Sequence, residues 1–224
     1  MRMSPNKEDY LKAIFNLNGA FEKVTNKNIA KELAVSAASV TEMNNRLVKE
    51  DLITYFPYRG VQLTKAGIRT ANQLIRKHRL WEVFLYEKLN YKWDEVHDEA
   101  DRLEHASSSE VIERLSDFLG NPHYDPHGGI IPNADGTVDE AIVPLLSLNE
   151  AETGLYFVVK EVVDDEDLLN YLFEKNFALN KAYKLIKKDA YDGTVIVLDN
   201  ELDKEISISG KATQQIKVKQ LNND

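Results

Sequence analysis

The chain has no cysteine among its 224 residues. That excludes a disulfide framework, a thiolate zinc site and a cysteine nucleophile. No apolar run approaches the roughly 18 residues a membrane helix needs, and nothing ahead of Pro5 reads as a signal peptide. A cytoplasmic protein without a membrane partner is therefore expected. HExxH is missing too, as are an obvious nucleophile motif and a large concave α/β scaffold. A metal hydrolase, which needs an open coordination position and a general base, finds little to build on. Histidine is scarce, with five in the whole chain. The other ingredients are ample: 43% hydrophobic residues supply packed cores, and the length fits two or three small domains.

The net charge of −9 argues against nucleic acid only if it is spread evenly. It is not. Residues 1–76 hold 12 Lys and Arg against 7 Asp and Glu, a balance of +5, and the rest hold 16 against 30, a balance of −14. A basic head on an acidic body suggests separate partners for the two parts.

Within the head, PNKEDYLKAIFNLN (5–18) has a helical period, with Pro at the first turn and acids near the positive end of the dipole. Thr25-Asn26 caps a short helix to Leu33, Ala34-Val35 turns, and Ser36 starts a second helix through VTEMNNRLVKEDL. Strands at Ile53–Phe56 and Val61–Leu63 flank a turn at Pro57–Gly60, and Thr64 caps a helix running to about His78. Two short helices and a hairpin make a winged helix-turn-helix. The small residues Ser36, Ala38 and Ser39 let the second helix approach phosphates or a thymine methyl. Glu42 can accept from a cytosine amino group, Arg46 continues the exposed side, and Tyr58 with Arg59 tips the wing. A winged helix used for protein contact is the alternative; the +5 balance favours double-stranded DNA.

Three of the five histidines fall between Arg76 and His105. His78 and Glu82 stand four apart, as do His97 and Asp101, and Glu104 and His105 follow. Positions three and four apart share a helical face. Two amphipathic helices with solvated charges would look similar, but each histidine here has an acid at helical spacing. Nitrogen and carboxylate donors without thiolate suit Mn(II), Fe(II), Zn(II) or Co(II). A helix is expected over Trp93–Ala106, capped at Asp94, and another over Glu110–Leu119. Their surplus apolar surface suggests a two-fold dimer. Residues 120–139 (GNPHYDPHGGIIPNADGTVD) read as a linker. Beyond it, strands at Leu155–Val163, Ala182–Lys188, Thr194–Asp199, Glu205–Ser209 and Gln214–Lys219, with one helix at Asp165–Lys175, suggest a small barrel.

RKHRLWE at 76–82, VHDEADRLEH at 96–105 and PHGGIIP at 126–132, behind this winged helix, resemble the diphtheria-toxin-repressor family of metal-dependent bacterial repressors. The resemblance spans essentially the whole chain. It implies a mainly α protein with a small β part: a winged helix-turn-helix over 1–76, a helical metal-binding and dimerisation domain with its linker over 77–140, and a C-terminal Src-homology-like (FeoA-type) small β-barrel over 141–224. It implies a primary metal site of Asp9, Asp101, Glu104 and His105, and an ancillary site of His78, Glu82, His97, Asp164 and Asp167. Iron-responsive members place methionine and cysteine where this chain has Asp9 and Asp101. Oxygen donors there favour a harder ion, so the resemblance points to the full-length manganese-responsive branch, with Fe(II), Zn(II), Co(II) and Cd(II) as substitutes. Asp125 stands where some of those regulators have a cysteine ligand, and is either an oxygen ligand or only a turn residue. Lys12 stands where the short, barrel-less regulators carry a glutamate that bridges two metals, which implies two separated sites instead. The expected protein is a homodimeric repressor of metal-uptake genes with no organic cofactor. A winged-helix regulator gated by Fe(II) or by a small organic ligand is the alternative.

Overall fold

The computed structural model describes residues 3–93, 95–138, 145–163 and 165–221. They group into two compact units. The first comprises Met1–Phe84, Asp98–His123 and Ile131–Asp139; the second comprises Leu85–His97, Tyr124–Ile130 and Glu140–Asp224.

The first unit opens with α1 (Pro5–Asn16), whose proline at the first turn is pre-set for helix and loses no intrahelical bond. α2 (Asn26–Glu32) is capped by Thr25, whose side chain accepts the Asn28 N–H at 3.2 Å. α3 (Ala37–Lys49) is capped by Ser36, which accepts the Ser39 N–H at 3.1 Å. Between them Ala34 takes a left-handed φ of 52° to close the turn. β1 (Ile53–Phe56) and β2 (Gly60–Leu63) pair antiparallel, Ile53 opposite Leu63 and Phe56 opposite Gly60. Gly60 sits at φ 107°, and a Cβ there would lie 2.0 Å from the Val24 carbonyl oxygen. Only glycine lets the hairpin close on Val24, which exchanges backbone bonds with Val61 at 2.8 and 2.9 Å. Leu11, Ile14, Ile29, Val40, Leu47 and Val61 bury the core of this winged helix-turn-helix.

α4 (Lys65–Leu89) follows as one uninterrupted helix of 25 residues. It runs well past His78 and absorbs the apolar stretch from Leu80, because nothing after Gly67 breaks it. Ala71 and Leu74 complete the winged-helix core, while Leu80 and Val83 start a second core with Ile112, Leu115 and Ile131. α5 (Val96–Ala106) begins three residues later than the expected Trp93, and its expected cap Asp94 lies outside the described residues. Ser108 caps α6 (Ser109–Phe118). The stretch after α6 is irregular, as its composition predicts, yet part of it is pinned to α4. The buried Asn72 amide donates to the Gly136 carbonyl at 2.9 Å, and Arg76 donates to that of Pro132 at 3.1 Å.

In the second unit come β3 (Leu146–Ser147), β4 (Tyr156–Val162), α7 (Glu166–Glu174), β5 (Ala182–Lys188), β6 (Val195–Asp199), β7 (Lys204–Ile208), α8 (Gly210–Thr213) and β8 (Ile216–Leu221). The strands form one antiparallel sheet in the order β3-β8-β4-β5-β6-β7. Register shifts at Val159/Glu161 and Leu185/Lys187 bend it, as bulges do. It covers a core that includes Phe157, Val159, Leu169, Leu172, Tyr183 and Leu185, the small antiparallel β domain that the alternation leads one to expect. Two-residue β3 and one-turn α8 are too short to leave a periodic trace in the sequence. Trp93 packs against this same core instead of opening α5.

Candidate metal centre and nucleic-acid interface

α1 and α5 face each other across a polar cluster inside the first unit. From α5 come Asp101, Glu104 and His105; from α1 come Glu8, Asp9 and Lys12; from α4 comes His78. His105 is held on both sides. Its Nδ1 is 2.7 Å from Glu8 Oε2, and its Nε2 is 3.0 Å from Asp9 Oδ1 and 3.6 Å from Glu104 Oε1. An imidazole whose Nδ1–H is given to a carboxylate presents Nε2 to a metal, the usual arrangement of a metal-bound histidine. Asp9, Glu104 and His105 each bring a ligand atom to within 4.8 Å of the others. Three nitrogen and oxygen donors that close together fit a divalent first-row ion. Of the four residues expected at the primary site, these three converge. Asp101 joins through shared partners: its Oδ1 is 3.1 Å from His78 Nδ1 and 3.1 Å from Lys12 Nζ.

Lys12 changes the electrostatics of the cluster. Its Nζ lies 2.8 Å from both carboxylate oxygens of Glu104, so the acids do not face one another unopposed. Burial works against the lysine's charge, but Glu104 and Asp101 outweigh it and raise its pKa. Asp9 moves up as well. Burial is the main cause, helped by Glu104 and Asp101 and opposed by His105 and Lys12.

Of the ancillary set, His78 and Glu82 are buried one turn apart on α4, with His78 Nε2 3.1 Å from Glu82 Oε1. His78 Nδ1 also meets Glu104 Oε2 at 2.7 Å. His97 lies in the first turn of α5, half-buried, and Asp167 is exposed on α7. Asp164 lies outside the described residues. Asp125 is a turn residue: its Oδ1 accepts the backbone N–H groups of His127 and Gly129, both at 2.8 Å.

Two residues have surroundings that their spacing does not announce. Glu8 suits the positive end of the α1 dipole, yet it is only 4% exposed and meets His105 Nδ1 at 2.7 Å. His127 sits within PHGGIIP, with no acid at helical spacing to single it out. It is 1% exposed, and its Nε2–H donates to the Trp93 carbonyl at 2.8 Å. Gly128 next to it, at φ 84°, approaches β4 so closely that a Cβ would fall 1.9 Å from the Lys160 carbonyl oxygen. The glycine pair was the available signal that this loop is built to fit.

The candidate DNA-reading residues are all on the surface. Ser36, Ala38 and Ser39 are exposed at the start of α3, with the two serine hydroxyls 2.9 Å apart. Glu42 and Arg46 are exposed one turn on and are ion-paired to each other. Tyr58 is fully exposed, at a left-handed φ of 62°, and Arg59 is exposed beside it.

A winged helix-turn-helix joined to helices that carry clustered histidines and carboxylates is the build of a metal-dependent DNA-binding regulator. Comparison with known proteins agrees. Residues 2–61 match the iron-dependent repressor N-terminal DNA-binding domain, and residues 64–133 match the iron-dependent repressor metal-binding and dimerisation domain. The chain is 31% identical over 202 residues to the iron-dependent repressor IdeR of Mycobacterium leprae, covering 85% of this chain and 87% of that one. It is 29% identical over 194 residues to the diphtheria toxin repressor of Corynebacterium diphtheriae, covering 82% and 85%. Among solved structures, a manganese-dependent transcriptional repressor in complex with manganese superposes with a TM-score of 0.86 at 34% identity, over 96% of this chain and 99% of that one. The manganese regulator SloR superposes with a TM-score of 0.82 at 36% identity, over 98% and 100%. The chain belongs to the iron-dependent, or diphtheria-toxin, repressor family of metal-dependent transcriptional regulators.

Proposed function

We propose that this protein is a Mn(II)-activated homodimeric repressor that binds double-stranded operator DNA and controls metal-uptake genes. One observation carries the reading: Asp9, on the first helix of the DNA-reading segment, meets Glu104 and His105 of α5 within ligand distance. A divalent ion, when bound, supplies a cross-link between those two helices. The rest is done by the chain. Asp9 carries the position of α1 into the cluster, Glu8 fixes the imidazole plane of His105, and buried Glu104 anchors the α5 side. Fixing α1 fixes the winged helix behind it, and two half-sites on a duplex require a fixed separation of two heads. With α1 held to α5 in this way, the chain would populate its DNA-competent arrangement, and the holding residues need not touch DNA.

Residues 1–76 then read DNA, 77–140 bind metal and dimerise, and 141–224 form the barrel. Dimerisation is supported by Val111 and Phe118, exposed on α6 beside buried Ile112 and Leu115. The choice of Mn(II) is supported by the all-oxygen-and-nitrogen donor set and by the manganese regulators among the structural neighbours. No step of this reading calls for catalysis. His78, Glu82, His97 and Asp167, with Asp164, are proposed as the ancillary ligands, and Asp125 as a further oxygen donor.

The test is a binding titration on a promoter fragment from a metal-uptake operon with Mn(II), Fe(II), Zn(II) or no metal. Tight binding with Mn(II) that vanishes with a chelator is expected. Equal affinity without metal would sink the proposal.

A further inference from the structure

The geometry points to Lys12 as a tethered counter-cation that competes with the metal for Glu104 and Asp101, and so sets the ion concentration at which the centre loads. This rests on the metal reading just given. Lys12 Nζ is 2.8 Å from Glu104 Oε1, 2.8 Å from Glu104 Oε2 and 3.1 Å from Asp101 Oδ1. Those oxygens belong to two of the four candidate primary ligands. The ammonium therefore lies where the negative potential of the cluster is concentrated, and bridges the same two helices that the ion would bridge.

An ion and an ammonium cannot share Glu104 at full strength. Glu104 is 1% exposed, and its Oε2 already takes His78 Nδ1 at 2.7 Å. Once a divalent ion is bound to this carboxylate, the ammonium a few ångströms away is repelled in a region with little water to screen it. Lys12 has the means to leave: its side chain is 15% exposed and ends a flexible four-carbon stem. Lys12 also stands three residues after Asp9, one turn along α1, so the ligand and its competitor ride on the same helix. Loading the centre is an exchange of one cation for another and not simple filling of a negative site. The free energy lost with the lysine contacts is subtracted from that gained by coordination.

Full-length Lys12→Met protein tests this, with Mn(II) titrated against a fluorescent chelator and thermal unfolding followed with and without Mn(II). The variant is expected to bind Mn(II) about tenfold more tightly or better, the equivalent of one charge-assisted hydrogen bond no longer opposing the ion. Without metal it should melt below the wild type, because Glu104 stays buried without its cation, and saturating Mn(II) should narrow the gap. Affinity equal to or weaker than wild type overturns the inference. If Lys12→Met does not fold, the wild type decides. In protein labelled with ¹⁵N-lysine, the slowly exchanging Lys12 ammonium signal should collapse as diamagnetic Cd(II) is added. A signal that persists at full Cd(II) occupancy overturns the inference while leaving the metal reading intact. Wild-type protein that takes up neither Mn(II) nor Cd(II) removes the metal reading, and this inference with it.

Discussion

Glu8 and Asp9 are adjacent in sequence and reach the same imidazole from opposite sides, and their tasks differ because their surroundings do. Glu8 is buried and meets Nδ1; Asp9 is half-buried and meets Nε2, the ligand side. Replacing Glu8 by Gln keeps an acceptor and should leave Mn(II) affinity nearly intact. Glu8→Ala removes the orienting bond and should weaken it about 10–100-fold, the usual cost of losing such a partner. Chelator competition on both variants checks this, and wild-type affinity in Glu8→Ala would make the contact incidental. Asp9 and Asp101 bear on metal choice. Affinity alone is expected to follow the Irving–Williams order, so Zn(II) should bind at least as tightly as Mn(II). Activation is another matter, since four-coordinate Zn(II) can be satisfied without Asp9, leaving α1 untethered. Combining Asp9→Met with Asp101→Cys should move DNA-binding activation toward Fe(II). A double variant that keeps its Mn(II) response and gains nothing with iron contradicts the assignment.

On α3 the pairing of Glu42 with Arg46 makes one residue's removal act through the other. Glu42→Ala should relax sequence preference at one operator position. It also releases the Arg46 guanidinium to a phosphate, so the salt dependence of binding should steepen by about one counterion. Arg59→Ala, at the wing tip, should weaken binding across sequences and flatten that dependence by a similar amount. Electrophoretic titrations over a range of salt on matched and scrambled operators distinguish the two; loss confined to particular base pairs in Arg59→Ala would argue against a phosphate contact. Element ends were legible in the sequence. Thr25 and Ser36 cap the helices expected to start there, and Thr64 accepts the Gly67 N–H at the head of α4, because capping is settled by a residue and the next three. The gathering of the centre was not legible from periodicity. Spacing put His78 with Glu82 and His97 with Asp101, but Asp9 entered only through the family resemblance. The duties of Glu8 and Lys12 depend on partners 97 and 92 residues away. Trp93 departs from its expected helix for a related reason: its apolar side chain continues a helical pattern but packs, half-buried, against the sheet core.

For the whole molecule, the two units each hold one tryptophan, Trp81 in the first and Trp93 in the second. A truncation meant to remove the barrel should end after Val138, since ending at Asn133 would strip the buried Asn72 amide of its Gly136 acceptor, at about 1–3 kcal/mol. Cut after Val138, the chain should bind fewer Mn(II) per protomer if the barrel contributes ligands, and Trp93 emission should shift red as its core disappears. Unchanged stoichiometry would make the barrel a bystander to metal.

The second unit also carries its own acid sensitivity. Asp199, fully buried on β6, is 2.7 Å from Lys181 Nζ, and its Oδ1 accepts the backbone N–H groups of Glu201 and Leu202. Burial pushes its pKa up, but the lysine and the backbone donors outweigh burial and hold it below the ordinary carboxylate value. A pKa lower in the folded than in the unfolded state means that the unfolded chain binds the proton more tightly. The stabilisation is therefore fully present above the ordinary carboxylate pKa of about 4 and disappears as pH falls through the lower folded value. In a Trp81→Phe background, where Trp93 alone reports, the denaturant midpoint should hold near neutral pH and drop below about pH 4. Asp199→Asn should lower the stability at neutral pH by about 1–3 kcal/mol, read as a lower midpoint, and make the acid limb shallower, because the titrating group is gone. The complementary Trp93→Phe protein, reporting from Trp81, should show no change on Asp199→Asn. An acid limb equally steep with and without Asp199 would move the sensitivity to other carboxylates of the barrel.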